Sequence, residues 1–208
     1  MDILDPKIQE YLTGMIPDRD SVLDEMERFA ASNNFPIVGP LVGRMLFLLA
    51  KSIGARRILE LGSGYGYSAY WFAKAIGKDG EIICTEDRQE LVDAARKYFS
   101  RARMSQRITY LVGDALSVAE KTNGLFDIIF IDIHKRFYPQ ALRKAMPRLR
   151  TGGLLIADNV LWSGRIFEAH PDVETAGILT YNRLIHSSRE LFTTIIPLRD
   201  GISVSVKM

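Results

Sequence analysis

Between residues 57 and 157, short apolar runs alternate with longer stretches in which apolar residues recur every three or four positions. The short runs, at 57–61, 81–86, 108–112, 127–133 and 153–157, are rich in Ile, Leu, Val and Phe and predict strands. The longer stretches predict helices near 68–76, 89–101, 115–121, 138–148 and 174–187. Phe126-Asp-Ile-Ile-Phe-Ile-Asp132 is apolar on both sides of the chain, as in a parallel strand buried on both faces. Strict alternation of the two patterns predicts an α/β fold with a doubly wound, mostly parallel sheet. The end of the chain differs. Phe192–Pro197 and Ile202–Lys207 read as strands joined by Leu198-Arg199-Asp200-Gly201, a hairpin signal, so the sheet is expected to finish with one antiparallel strand.

Upstream, Val22, Leu23, Met26, Phe29 and Ala30 form one helical face, with Asp20 or Ser21 as its cap. A further helix from Leu41 to Ile53 is apolar almost all round and is expected to be buried. Residues 1–35 therefore read as a helical appendage on one domain, 1–208, without repeat, linker or low-complexity segment.

Composition narrows the picture a little. At 208 residues the chain can bury a substantial core, and 47% hydrophobic and 25% charged residues are ordinary for a globular protein. A net charge of +2, with Lys and Arg scattered along solvated helix faces, gives no sign of a nucleic-acid partner. The single cysteine, Cys84, lies in a strand, reads as core packing and fits a reducing compartment. The opening Met-Asp-Ile-Leu-Asp-Pro is no signal peptide, and the longest apolar stretch, Met45 to Ala50, is too short to span a bilayer. A cytoplasmic protein with no membrane partner is expected.

The chemistry begins at Ile58-Leu-Glu-Leu-Gly-Ser-Gly-Tyr-Gly-Tyr-Ser68, a strand running into glycines at 62, 64 and 66 and then a helix. Such a loop lets the backbone approach a nucleotide-like ligand closely. As a dinucleotide fingerprint, Gly-x-Gly-x-x-Gly/Ala, it fails from Gly62, where Tyr67 ends the frame, and passes from Gly64, where Ala69 does. Glu60, two residues before the loop, would repel a pyrophosphate but suits a cationic amino group. S-adenosylmethionine, with an ammonium, a carboxylate and an adenosine, meets both requirements.

Ligands of doubly wound sheets bind beyond the carboxyl ends of the strands. Five predicted strands end there in polar residues: Glu60; Glu86, twenty residues after Gly66 and so at the spacing of a ribose acid; Asp114 with Ala115; Asp132 followed by Lys135; and Asp158-Asn159. Each acid alone reads as a helix cap; the set on one edge reads as a site. Asp132, Asp158 and Asn159 offer only hard oxygens, which suit Mg²⁺, Mn²⁺ or Ca²⁺. Lys135 reads as a general base beside them. Trp162 and Phe167 are expected to flank an aromatic ring, whereas His170 and His186 read as surface residues.

Three segments, Glu60–Ser68, Phe130-Ile-Asp-Ile-His-Lys135 and Asp158-Asn-Val-Leu-Trp-Ser-Gly164, together resemble the cation-dependent O-methyltransferases, the caffeoyl-CoA and catechol O-methyltransferase group. The resemblance runs from about Ile37 to Lys207. It implies a Rossmann-like methyltransferase sheet, S-adenosylmethionine as methyl donor, a divalent cation, a homodimer, and a small catechol-like acceptor with vicinal hydroxyls. It further implies that Glu60 holds the methionine ammonium, directly or through water, and that Gly62, Ser63, Tyr67 and Ser68 surround the methionine part. Val38 would lie near the cofactor, Glu86 on the ribose hydroxyls, and Asp114 with Ala115 at the adenine. Asp132, Asp158 and Asn159 would hold the metal, with Asp132 also near the cofactor, and Lys135 would be the base.

The chain departs from that pattern at His134, where many members carry an acid, and at Val42, where an acid or amide precedes the glycine. Its N-terminal segment is also short, which argues against a CoA ester as acceptor. Two rival readings stay open on the residues alone: an NAD(P)-dependent oxidoreductase and a non-catalytic cofactor-binding protein of the same fold.

Overall fold

A computed structural model describes residues 3–17 and 20–208; positions 1–2 and 18–19 of the N-terminal appendage lie outside the described residues. Three helices come first, α1 (Pro6–Gly14), α2 (Ser21–Ser32) and α3 (Gly39–Ser52). The alternating part follows as β1 (Arg57–Leu61), α4 (Tyr67–Ile76), β2 (Glu81–Glu86), α5 (Gln89–Arg101), β3 (Ile108–Val112), α6 (Ala115–Lys121), β4 (Phe126–Ile131), α7 (Tyr138–Ala145) and β5 (Leu149–Ala157). The chain closes with α8 (Val173–Ser187), β6 (Leu191–Ile196) and β7 (Ile202–Lys207).

These strands form one seven-stranded sheet in the order β3-β2-β1-β4-β5-β7-β6. Neighbours from β3 to β5 pair in parallel, while β7 runs antiparallel to both β5 and β6. The expected antiparallel strand is thus β7, wedged between two strands of the opposite direction.

Alternation along each strand sends side chains to opposite faces. Ile58, Ile82, Cys84, Ile128, Phe130 and Ile156 pack against α2–α5 on one face. Leu59, Leu61, Ile83, Ile129, Ile131 and Leu155 pack against α6–α8 on the other. In the central strands β1, β2 and β4, where both faces are covered, most residues are apolar and buried, and Cys84 is fully buried as a packing residue.

Two expectations need correction. β5 begins at Leu149, four residues before the predicted start, because Asp127 pins the strand ends. Its carboxylate accepts the backbone N–H groups of Arg56 and Arg57, each at 2.8 Å, and the Arg150 guanidinium at 2.5 Å. α3 is buried on one face only: Val42, Gly43, Leu46 and Ala50 are buried, whereas Leu48 is 66% exposed. The helix lies against α4, with a lesser contact to α1. The approach to α4 is so close that a Cβ on Gly43 would fall 2.2 Å from the Trp71 ring nitrogen. At the start of α2, Asp20 is the cap, accepting the Leu23 N–H at 3.1 Å. Among the described residues no helix is long and apolar enough to cross a membrane.

Candidate active site

The carboxyl ends of β1–β5 open onto one cavity of about 1080 Å³. At one end lies the glycine loop between β1 and α4. Its backbone is held by β2: the Gly62 N–H donates to the Thr85 hydroxyl at 3.0 Å and the Ser63 N–H to the Thr85 carbonyl at 2.9 Å. Gly62 has φ +83°, and a Cβ there would lie 2.2 Å from the Asp132 carbonyl oxygen, so no other residue fits. Ser63, Tyr67 and Ser68 line the cavity, and Val38, at the start of α3, closes its side.

Glu86 lies on the cavity wall at the end of β2, only 8% exposed. One carboxylate oxygen accepts the Gly64 N–H at 2.9 Å; the other accepts the backbone N–H and the side-chain Nε of Arg88 at 3.1 and 3.2 Å. Burial raises its pKa, against the pull of the Arg88 hydrogen bonds. Arg88, whose guanidinium stands 5.6 Å from the Phe35 ring centre, was not singled out in the sequence, although its place two residues after a ribose-type acid was the available signal. Asp114 caps α6, accepting from the Ser117 N–H and hydroxyl at 2.8 and 2.7 Å, and these bonds hold its carboxyl below the usual range. Cap and cavity wall are therefore one residue, with Ala115 beside it.

Glu60 stands behind the cavity wall rather than on it. Strand alternation turns it onto the α4 side of the sheet, opposite Cys84 in register, where it is fully buried and outside the cavity lining. The Ser68 hydroxyl donates a short hydrogen bond to its Oε1, and the Cys84 thiol lies 3.7 Å from its Oε2. Burial pushes its pKa up to about 7, against the pull of Ser68 and Ser63 and with a further push from Asp132. Ser68, which lines the cavity, links Glu60 to that space.

Two tyrosines tie the loop to the N-terminal helices. The Tyr65 hydroxyl donates to the Met26 carbonyl at 2.9 Å, and the Tyr67 hydroxyl to the Glu27 carboxylate at 2.8 Å, both on α2.

At the other end of the cavity, Lys135 opens a 3₁₀ turn after β4, and its ammonium donates to Asp132 Oδ1 at 2.8 Å. The ammonium also faces the rings of Tyr138 and Trp162, 5.3 and 5.7 Å from their centres. Asp158, at the end of β5, is 1% exposed. One of its oxygens accepts the Asn159 N–H at 2.8 Å, the other the Arg199 guanidinium at 3.2 Å. Burial and the neighbouring Asp132 push its carboxyl up to about 7, against the pull of Arg199 and Lys135. Asn159 adopts φ +58°, and its amide nitrogen donates to Asp200 at 3.3 Å, which turns the amide oxygen into the free end of that side chain. Two carboxylates and an amide oxygen on one cavity wall are a hard donor set that fits a divalent cation of the Mg²⁺ type. Among the described residues no three or more His, Cys, Asp or Glu side chains gather as a metal cluster.

Trp162 and His134 line this end, but Phe167 does not: it is 76% exposed, in a turn kinked by left-handed backbone at Ser163 and Gly164. His170 and His186 are exposed, as expected.

The geometry leaves a glycine-loop cofactor end and an acid-lysine end in one cavity, and the comparison with known proteins decides its class. The model of the O-methyltransferase family matches residues 15–208. The chain belongs to that family. A catechol O-methyltransferase of Niastella koreensis is 28% identical to this O-methyltransferase over 96% of each chain. A catechol O-methyltransferase of Mycobacterium tuberculosis is 33% identical over 64% of this chain and 60% of its own. Among solved structures, the O-methyltransferase of Bacillus cereus in complex with SAH superposes with a TM-score of 0.89 at 29% identity, covering 97% of each chain. Family membership removes the dinucleotide oxidoreductase that the glycine spacing had left open.

Beside the residues expected from the sequence, the Lys135 end of the cavity in this O-methyltransferase is bounded by Arg136, Glu174 and Arg199. Arg136 pairs with Glu174 across the gap to α8, the backbone N–H at 3.0 Å from the carboxylate. Arg199 had been absorbed into the hairpin turn; its one distinguishing sign was a long cation in a turn whose neighbours are Asp and Gly.

Proposed function

We propose that this O-methyltransferase transfers the methyl group of S-adenosylmethionine to one oxygen of a small catechol-like acceptor with vicinal hydroxyls, with the help of a divalent cation. Mg²⁺ is the first choice, Mn²⁺ or Ca²⁺ the alternatives, and one domain, 1–208, carries the whole reaction. The observation that carries the reading is the single cavity with the glycine loop and Glu86 at one end and Asp132, Lys135, Asp158 and Asn159 at the other. The catechol O-methyltransferase names of two relatives, and the SAH in the Bacillus cereus structure, support it.

In this reading Gly62, Ser63, Tyr67, Ser68 and Val38 enclose the methionine part, with Glu60 stabilising its ammonium through the serines. Glu86 takes the ribose hydroxyls and Asp114 with Ala115 the adenine. Asp132, Asp158 and the Asn159 amide oxygen would hold the cation, which would supply Lewis-acid polarisation that lowers the pKa of an acceptor hydroxyl. Lys135 would act as the free amine, its own proton given up to solvent beforehand, and would take the hydroxyl proton at Nζ; Asp132 accepts a hydrogen bond from the ammonium so formed. The walls hold acceptor oxygen, methyl and sulfur in line, an alignment that can remove roughly 7–11 kcal/mol of barrier. Trp162 offers a flat apolar surface to the acceptor ring.

The test is methyl transfer to a catechol, followed as S-adenosylhomocysteine formed. Excess EDTA and Asp158→Ala each abolish turnover, and Lys135→Ala slows it by roughly 10²–10⁴-fold, the usual range for a lost acid–base group. Full turnover in EDTA removes the cation from the reading, and absence of turnover on every dihydroxy acceptor, with cofactor bound, leaves a non-catalytic binding protein. We further propose a homodimer formed through the N-terminal helices, where Leu48 and Tyr11 are each 66% exposed. A monomeric mass by light scattering at micromolar concentration refutes it.

A further inference from the structure

The turn between β6 and β7 holds the Asp158-Asn159 pair with two successive residues that act in opposite senses. Asp200 accepts from the Asn159 amide nitrogen and so leaves that side chain's oxygen facing outward. Arg199 donates its guanidinium to Asp158 and so occupies a carboxylate oxygen that a cation would need. The turn is fixed against the segment after β5: the Val160 N–H donates to the Gly201 carbonyl at 2.9 Å and the Leu161 N–H to the Asp200 carbonyl at 3.0 Å. Arg199 is held there at φ +53°, a backbone conformation that L side chains rarely adopt. Nothing about the backbone calls for arginine at that position; its contact with Asp158 is what distinguishes it.

The charges agree. Lys135 is on Asp132 and Arg199 is on Asp158, so each of the two acids already carries a positive partner. Asp158 is 1% exposed and has no water-facing surface on which to exchange partners freely, whereas the Arg199 side chain is 35% exposed and can withdraw into the cavity it lines.

We propose that Arg199 is a built-in counterion that competes with the divalent cation for Asp158 and sets a low affinity of this site for the ion. The inference rests on the assignment of Asp132, Asp158 and Asn159 as the cation ligands. Loading then requires the guanidinium to leave Asp158, so the occupancy of the site follows the free cation concentration over a higher range than the three donors alone would give.

The test is direct titration with Mn²⁺, in which binding removes the free-ion signal in electron paramagnetic resonance, on the full chain without acceptor. Arg199→Gly suits the positive φ and removes the competitor; Arg199→Gln removes the charge and keeps a side chain. Both are expected to bind Mn²⁺ about tenfold more tightly than wild type, the scale of one ion pair to a buried carboxylate. Adding Asp158→Ala to Arg199→Gly should abolish the gain. Equal, tight binding by wild type and both variants overturns the role of Arg199 and keeps the cation site. Binding by none of them overturns both, and a gain that survives Asp158→Ala places the ion elsewhere and overturns the inference.

Discussion

Glu60 is expected to make cofactor binding a proton-releasing event. It is fully buried on the far side of the glycine loop, and burial raises its carboxyl to about 7, so below that pH the unliganded protein holds it neutral. A ligand that brings an ammonium to Ser63 and Ser68 favours the carboxylate. If binding returns Glu60 from about 7 to the ordinary carboxylate range, affinity falls about 40-fold, or ~2 kcal/mol, as pH drops from 7 to 5, the slope approaching tenfold per unit only below about pH 6. S-adenosylhomocysteine is the ligand to use, because it carries the ammonium without the sulfonium. Calorimetry in two buffers of different ionisation enthalpy counts the protons: the count should approach one released per ligand near pH 6 and vanish above pH 8. Glu60→Gln keeps the acceptor for the Ser68 hydroxyl and cannot ionise. It should match wild type at pH 5, bind more weakly at pH 8, and release no proton. A proton count near zero from pH 5.5 to 7.5, or the same pH slope in Glu60→Gln, would refute the linkage.

The same residue acts on stability without ligand. Because its folded pKa is raised, its contribution is fully present below the unfolded carboxylate pKa and is lost as pH rises through about 7, so unliganded Glu60→Gln should outlast wild type at pH 8 in thermal unfolding and equal it near pH 4.5. Glu86→Ala should weaken S-adenosylhomocysteine by about 1.5–3 kcal/mol in calorimetry, the scale for hydrogen bonds to a charged group. Gly43→Ala forces a methyl into the Trp71 ring and should lower stability to urea by about 1–3 kcal/mol, with the cofactor site unchanged once folded.

Much of the fold is written in short-range patterns. Ile-rich runs mark β1, β2 and β4 because both faces of those strands are buried, and Asp20 and Asp114 mark helix starts because capping is a local act. β5 hid its first four residues, since Arg150-Thr-Gly-Gly reads as a turn until the long-range clamp by Asp127 is known. α3 looked buried all round because composition reports the apolar residues of a helix and not how many neighbours reach it. In the site, the acids at strand ends were legible from the period of the sheet, whereas the direction of Glu60 depended on which face position 60 takes. Arg199 and the left-handed turn at Trp162 and Ser163 were not legible, because neither residue type announces that conformation and both are held by contacts 37 or more residues away.

The two tyrosine hydroxyls on α2 have a mechanical consequence. Tyr65 and Tyr67 flank Gly66, so the segment that must hug the cofactor is bolted at two points to a helix outside the sheet. The mouth of the cavity is therefore only as rigid as the seat of α2. Force, proteolysis or truncation that unseats α2 would free both tyrosines and let the loop relax. Conversely, a filled cofactor end should slow hydrogen exchange across α2, a helix that lines none of it.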